Sequence, residues 1–170
     1  MTNDSHLFRI EPANHRWPLY EGKMIHQFTH LFSKPRYWIE SVQGRGELLR
    51  QEMRRLEVAL DALAILEDNV RNLTTRQERV TKFLETRGYP PLSPMDVYIA
   101  PDAPRLAFRD IARNTDERTL IATILPPGVF ASNTLNYVVP WYFNSTEIFD
   151  QPPSVKDCYE PTFPANMLAW

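Results

Sequence analysis

Proline is the residue that most limits what this chain can fold into. The 170 residues contain 15 prolines against five glycines, and 12 of the prolines follow Tyr89. Because proline fixes φ and cannot donate a backbone hydrogen bond, such a chain is expected to form short regular elements joined by stiff connections. The prolines concentrate before residue 104 and in the tail from Trp141, where we expect extended structure.

Residues 47–87 are predicted to form a helical hairpin. Thr75 is followed three residues later by Glu78, which predicts a capping box that opens a second helix over about 76–87. In the first helix, apolar side chains recur at spacings of 4, 3, 4 and 3, as expected for one helical face. These side chains are Leu49, Met53, Leu56, Leu60 and Leu63.

The rest of the chain is predicted to be strand and loop. Residues 33–46, with Gly44 and Gly46, are predicted to be turns, and four other segments alternate or are rich in β-branched residues. The four segments are 17–32, 104–113, 118–125 and 134–139. We therefore expect an α+β fold, a small antiparallel sheet with the helical hairpin packed on it.

The chain is expected to form a single domain, 1–170. Its predicted segments are an extended N-terminal segment (1–46), the hairpin (47–87), a strand-rich segment with an arginine ladder (88–140) and a Pro-rich tail (141–170).

The arginine ladder is the first candidate site. In a strand over 104–113, Arg105, Arg109 and Arg113 share one face because side chains alternate. Guanidiniums spaced about 6–7 Å apart suit a phosphate backbone, and arginine reads guanine edges bidentately. Arg118 and Thr119, at the start of the next strand, are a candidate backbone-holding pair. We therefore predict a DNA-binding surface.

A structural interpretation of the ladder stays open. The arginines can pair with Asp110, Asp116, Glu117 and the acidic tail, and simply solvate the sheet. The use of arginine without lysine at four positions favours planar recognition over solubility alone.

A second candidate site lies near the N-terminus. Tyr20, Lys23 and His26 are close in sequence and form a possible cradle for a phosphate. His26 and His30 have the i, i+4 spacing of metal ligands, but no Glu or Cys accompanies them. The alternative is a packing segment, in which Leu19, Ile25 and Phe28 point inward.

A third candidate couples bases to aromatics. Arg36 lies in the run from Lys34 to Trp38, which reads KPRYW. Nucleic-acid surfaces often combine these residue types, although an amphipathic packing corner is an equal interpretation.

Composition and missing motifs exclude several function classes. The net charge of −2 gives no overall attraction to nucleic acid, so DNA binding requires a local basic surface. Cys158 is the only cysteine, which excludes an internal disulfide and fits a cytoplasmic protein. No apolar run is long enough to span a bilayer. Glycine-rich cofactor loops, Walker loops, nucleophile elbows and zinc-protease motifs are absent, so no catalytic residues are predicted.

Three segments resemble a known family. They lie at 18–28 (PLYEGKMIHQF), 35–38 (PRYW) and 105–127, where the arginine ladder runs into LPP. Together they resemble the segment on the target-recognition side of large adenine-N6 DNA methyltransferases. These enzymes belong to type II (IIG-like) restriction-modification and to BREX- and DISARM-type phage defence.

The resemblance implies a role in holding double-stranded DNA for adenine methylation. It implies that S-adenosylmethionine binds elsewhere, on a catalytic domain or catalytic subunit that would be the partner of this chain, so no cofactor is expected here. The chain is accordingly expected to be a fragment or a split subunit, without activity of its own.

Two other classes of function remain open. One is a protein-interaction module that docks a partner through the 47–87 hairpin, with a purely structural ladder. The other is a small enzyme of a different type. The lack of a coherent acid-base or nucleophile set argues against it.

Overall fold

The computed structural model describes residues 5–110 and 120–164, and the described residues form two helices and nine strands. The helices are α1 (Ser41–Ala64) and α2 (Arg76–Glu85). The strands are β1 (Phe8–Arg9), β2 (Arg16–Tyr20), β3 (Tyr37–Glu40), β4 (Arg105–Arg109), β5 (Ala122–Leu125), β6 (Phe130–Ala131), β7 (Leu135–Tyr137), β8 (Trp141–Phe143) and β9 (Tyr159–Pro161). The predicted α+β class is confirmed. None of the described helices is both long enough and apolar enough to cross a membrane.

The described residues divide into two compact units. The first comprises 5–46, 100–110, 120–140 and 162–164, and the second comprises 47–99 and 141–161.

The first unit contains two small sheets. One has the order β1-β3-β2-β6, with β2 and β6 parallel and the other pairs antiparallel. The other is antiparallel with the order β5-β4-β7. The prediction that strands within 104–113, 118–125 and 134–139 share one antiparallel sheet is therefore confirmed. The expectation that 17–32 joins the same sheet is wrong, because β2, which begins this segment, pairs with β3 and β6 in the other sheet.

The prediction of turns over 33–46 is wrong from Tyr37 onward. Here the chain forms β3 and then the first turns of α1. Gly44 serves close packing rather than a turn. A Cβ at this position would lie 2.4 Å from Cζ of Phe130, whose ring is buried.

The second unit contains the helical hairpin, and its prediction is confirmed. The Thr75 side chain accepts from the Glu78 N–H, and the Glu78 carboxylate accepts from the Thr75 N–H, which forms the predicted capping box. Arg79 of α2 binds Asp61 of α1 through two hydrogen bonds of 2.7 and 2.9 Å. The tail adds β8 and β9, which pair with each other.

The core of the second unit is formed by the apolar stripe of the hairpin together with side chains from the loops and the tail. Its fully buried members include Leu60, Ala64, Val70, Phe83, Ile148 and Cys158. The stripe predicted from the sequence is therefore used inside its own unit.

Candidate nucleic-acid interface

The N-terminal motif and the ladder segment meet in the first unit. The Phe28 N–H donates to the carbonyl oxygen of Ala122 at 3.1 Å, and the Ala122 N–H donates to Oε1 of Gln27 at 3.3 Å. The Arg109 guanidinium donates to the carbonyl oxygen of Ile25 from Nε at 3.1 Å and from Nη2 at 2.6 Å. Two segments that are about 80 residues apart in sequence thus form one structure.

Gly22 permits this close approach. Its N–H donates to Oγ1 of Thr134 at 3.0 Å, and a Cβ on Gly22 would lie 2.6 Å from the Thr134 carbonyl oxygen. Because a backbone atom cannot move aside easily, a larger residue at this position would separate the 3-10 turn Gly22–Met24 from the loop before β7.

The arginine face of β4 points inward, and this corrects the predicted exposure of Arg105. The Arg105 side chain is 1% exposed and donates to the carbonyl oxygens of Val129 at 2.7 Å and Ala100 at 3.3 Å. Burial lowers the pKa of Arg105 to about 10, so the guanidinium remains charged at neutral pH. It lies 5.1 Å from the centre of the Tyr137 ring. A side chain enclosed in this way holds two loops together and is out of reach of DNA.

The other ladder residues have different positions. Arg109 is half-buried and uses its guanidinium to hold the main chain at Ile25. Arg113, Arg118 and Thr119 lie outside the described residues, so their predicted role in DNA contact stays a prediction.

Tyr20 also lies in the core, which corrects its prediction as a DNA contact. It is 5% exposed and packs with Met24, Ile25 and Leu135. Burial raises the pKa of its phenol, and its ring stacks on His30 at 6.3 Å. Since the ring is enclosed, Tyr20 positions the motif rather than meeting a ligand.

Lys23, His26 and Arg36 are exposed, as a DNA contact requires. Lys23 lies 3.1 Å from the Glu21 carboxylate, and the His26 ring stacks on Phe32 at 4.9 Å. Arg36 lies 5.0 Å from the centre of the Tyr37 ring.

We call residues 22–39 the basic loop. It contains no Asp or Glu over 18 consecutive residues, and it carries Lys23, Lys34, Arg36 and two histidines. Its most exposed apolar side chains are Phe28 at 68%, Leu31 at 73% and Phe32 at 58%. Surfaces that bind single strands and phosphate backbones combine a net positive charge with exposed aromatics in this way.

An apolar groove adjoins the basic loop within the first unit. Its volume is about 450 Å³, which lies in the range of about 300–1,000 Å³ typical of small-molecule sites. It is lined by Gln27, Phe28, His30, Pro104, Leu106, Ala122, Thr123, Ile124, Pro126 and Pro127. We call it the β5 groove, because three of these residues belong to β5.

The exposure of Phe28 was missed by sequence reasoning, which allowed it to pack inward with Leu19 and Ile25. Leu19 and Ile25 are buried as that interpretation requires, whereas Phe28 is exposed at φ 63°. No local signal marked this exposure, because Phe28 is held by a hydrogen bond to Ala122, which is distant in sequence.

Metal binding receives no support from the described residues, where no group of three or more His, Cys, Asp or Glu side chains is arranged to hold an ion. Comparison of the chain with protein-family models, with curated proteins and with solved structures gives no match.

Proposed function

We propose that this chain is the DNA-binding, target-recognition segment of an adenine-specific DNA methyltransferase of a restriction-modification or phage-defence system. In this proposal it acts in the cytoplasm beside a catalytic domain or subunit that binds S-adenosylmethionine. In this proposal catalysis takes place on that partner and not on this chain. The assignment to methyltransferases is supported by the resemblance of the segments at 18–28, 35–38 and 105–127.

The basic loop is the observation that carries DNA binding. The chain as a whole has a net charge of −2, so a local positive surface is needed to approach a polyanion. Lys23, Lys34 and Arg36 supply that surface from one acid-free stretch, and all three are exposed. Their charges release counterions when they meet phosphates, which favours binding at low salt.

Arg109 has a supporting role in this proposal. It holds the main chain at Ile25, at the start of the exposed part of the basic loop. Since Gly22, Gln27 and Phe28 also bond to the strands or to the loop before β7, the loop is held at several points. Such preorganisation reduces the entropy lost when a ligand binds.

The alternative, a protein-interaction module on the helical hairpin, is less favoured by the fold. Leu56 and Leu60, the centre of the apolar stripe, are 2% and 0% exposed and belong to the core of the second unit. A partner would have to use the remaining exposed side chains, such as Val58.

The test is fluorescence anisotropy of the chain with duplex DNA between about 50 and 200 mM salt, where phosphate contacts are strongly salt-dependent. In the double variant Lys34→Ala/Arg36→Ala, we expect weaker binding to every sequence. The slope of log affinity against log salt should fall by about 1.8, since each lost phosphate contact accounts for about 0.9.

The matched control is Arg50→Ala/Arg54→Ala, which removes two exposed charges from α1 in the other unit. It should leave affinity and slope unchanged. If both double variants lose the same affinity, the effect comes from net charge alone, which would contradict a site on the basic loop. Selection from a random duplex pool tests recognition further, because a target-recognition segment should enrich a defined sequence.

A further inference from the structure

The outer edge of β5 presents main-chain groups to the β5 groove. Arg109 N–H donates to the carbonyl oxygen of Ile121 at 3.0 Å, so Ile121 bonds toward β4. In an antiparallel ladder bonded and non-bonded residues alternate. Thr123 and Leu125 therefore bond toward β4 as well, whereas the N–H and C=O of Ala122 and Ile124 point to the outer edge.

Among residues 5–110 and 120–164, one of these two outward pairs has partners and the other has none. Ala122 bonds to Gln27 and Phe28. The N–H and C=O of Ile124 have no partner among residues 5–110 and 120–164. The edge ends there, because Pro126 has no N–H to donate. In the described part of the chain, one donor and one acceptor therefore lie side by side beside the groove without a partner.

Phe28 places an aromatic ring at the same groove under backbone strain. Its φ of 63° lies in the left-handed region, which is unfavourable for a bulky residue. The bond from its N–H to Ala122 holds it there, yet the side chain is 68% exposed. Strained residues persist where the surroundings over-determine them, and they cluster at ligand sites.

We propose that the β5 groove binds one unstacked nucleobase of the DNA held by the basic loop, an inference that rests on the proposed function. The Phe28 ring supplies the stacking surface. Ile124 N–H and C=O pair with the donor-acceptor edge of the base, and Gln27 and Thr123 add polar groups at the lining. Charge complementarity supports this occupant, because the neighbouring basic loop carries positive charge and no acid.

An extended peptide fits the groove less well. A peptide that adds a strand to a sheet needs a series of open main-chain pairs, whereas the described part of the β5 edge has only the pair at Ile124. A base needs one donor and one acceptor on a planar edge, together with an aromatic face.

The experiment compares a duplex carrying a single unpaired, bulged adenine with the fully paired duplex of the same sequence. A bulged base has already lost much of its stacking, so it enters a pocket at low cost. We expect the bulged duplex to bind about tenfold more tightly, the effect typical of one base stacked on an aromatic side chain. 2-Aminopurine at the bulge should change its emission on binding.

Two variants locate the effect. Phe28→Gly removes the ring and accepts φ 63° without strain, so folding is retained, and it should abolish the preference for the bulge. Leu106→Trp fills the groove from β4 and should do the same. Phe32→Ala, an exposed aromatic of the basic loop outside the groove lining, should leave the ratio of the two affinities unchanged.

The outcomes separate the two proposals. Equal affinity for both duplexes, or a preference that survives both groove variants, would overturn the base site and leave DNA binding intact. If neither duplex binds, the proposed function fails. An NMR titration with adenosine monophosphate then tests whether the groove binds a base. A shift of the Ile124 amide signal would then support a base site, and its absence would overturn it. Retention of the bulge preference in a peptide-competition assay would further disfavour an extended peptide as the occupant.

Discussion

Replacing Gly44 with alanine should destabilise the protein, although the same change usually stabilises a helix. In α1, glycine loses more backbone entropy than alanine, so Gly→Ala in a helix interior normally stabilises by about 0.5–1 kcal/mol. Gly46 is two residues further along the same helix and offers the matched comparison. No atom lies within 4 Å of a Cβ built on Gly46.

The magnitude follows from the space around each position. A Cβ on Gly44 would lie 2.4 Å from Cζ and 2.9 Å from Cε1 of Phe130, and 3.0 Å from Cγ2 of Ile39. Both neighbours are buried, at 1% and 0% exposure, so the ring has to shift within a filled core. Overpacking of this kind costs about 1–3 kcal/mol. Because the helix gain is common to both substitutions, their difference isolates that cost.

Thermal unfolding followed by circular dichroism measures the difference. We expect Gly46→Ala to raise the midpoint and Gly44→Ala to lower it. A gap of about 2 kcal/mol corresponds to roughly 4–8 °C for a chain of this size. Adding Phe130→Leu should cost less in the Gly44→Ala background than alone, because the smaller side chain relieves the clash. If both glycine variants raise the midpoint equally, the close packing of α1 on Phe130 is refuted.

Three further predictions concern buried polar groups. Arg105→Met should lower the free energy of unfolding by about 2 kcal/mol, since the buried carbonyl of Val129 loses its donor, and it should leave the salt slope of DNA binding unchanged in the anisotropy assay. Arg79 holds the pKa of Asp61 below its usual value of 3.8. The charged carboxylate therefore stabilises the fold above that pH, and this stability is lost as the pH falls through the lowered pKa. The free energy of unfolding should accordingly depend less on acid pH in Arg79→Ala than in the parent chain. Burial raises the pKa of Cys158 to about 11, so a thiol reagent at neutral pH should modify it only after denaturation, and rapid labelling of the folded chain would contradict its enclosure.

For the arginine ladder, the predicted alternation of side chains is correct, but the predicted exposure of Arg105 is wrong. Arg105, Ala107 and Arg109 do share one face of β4, as a strand requires. That face packs inward, and the more apolar face, with Leu106 and Phe108, is only partly covered. A side-chain pattern cannot anticipate this inversion, because a buried guanidinium is tolerated only where carbonyl oxygens from other segments surround it.

The conformation of the basic loop also depends on long-range contacts. Its residues have little regular structure of their own, and it is held by bonds from Arg109, Ala122 and Thr134, all distant in sequence. The exposure of Phe28 depends on these bonds. Since such contacts join segments about 80 to 110 residues apart, no local pattern around residue 28 contains them.

Features that depend on near neighbours follow from local sequence patterns. The apolar spacing and the Thr75–Glu78 capping box predicted the helical hairpin, because helix hydrogen bonds and caps join residues three or four apart. The helical position of Gly44 and the burial of Arg105 follow instead from long-range packing. Both depend on what packs opposite them, Phe130 in one case and the carbonyl of Val129 in the other. Burial is a property of the assembled fold, and one short stretch of sequence does not specify it.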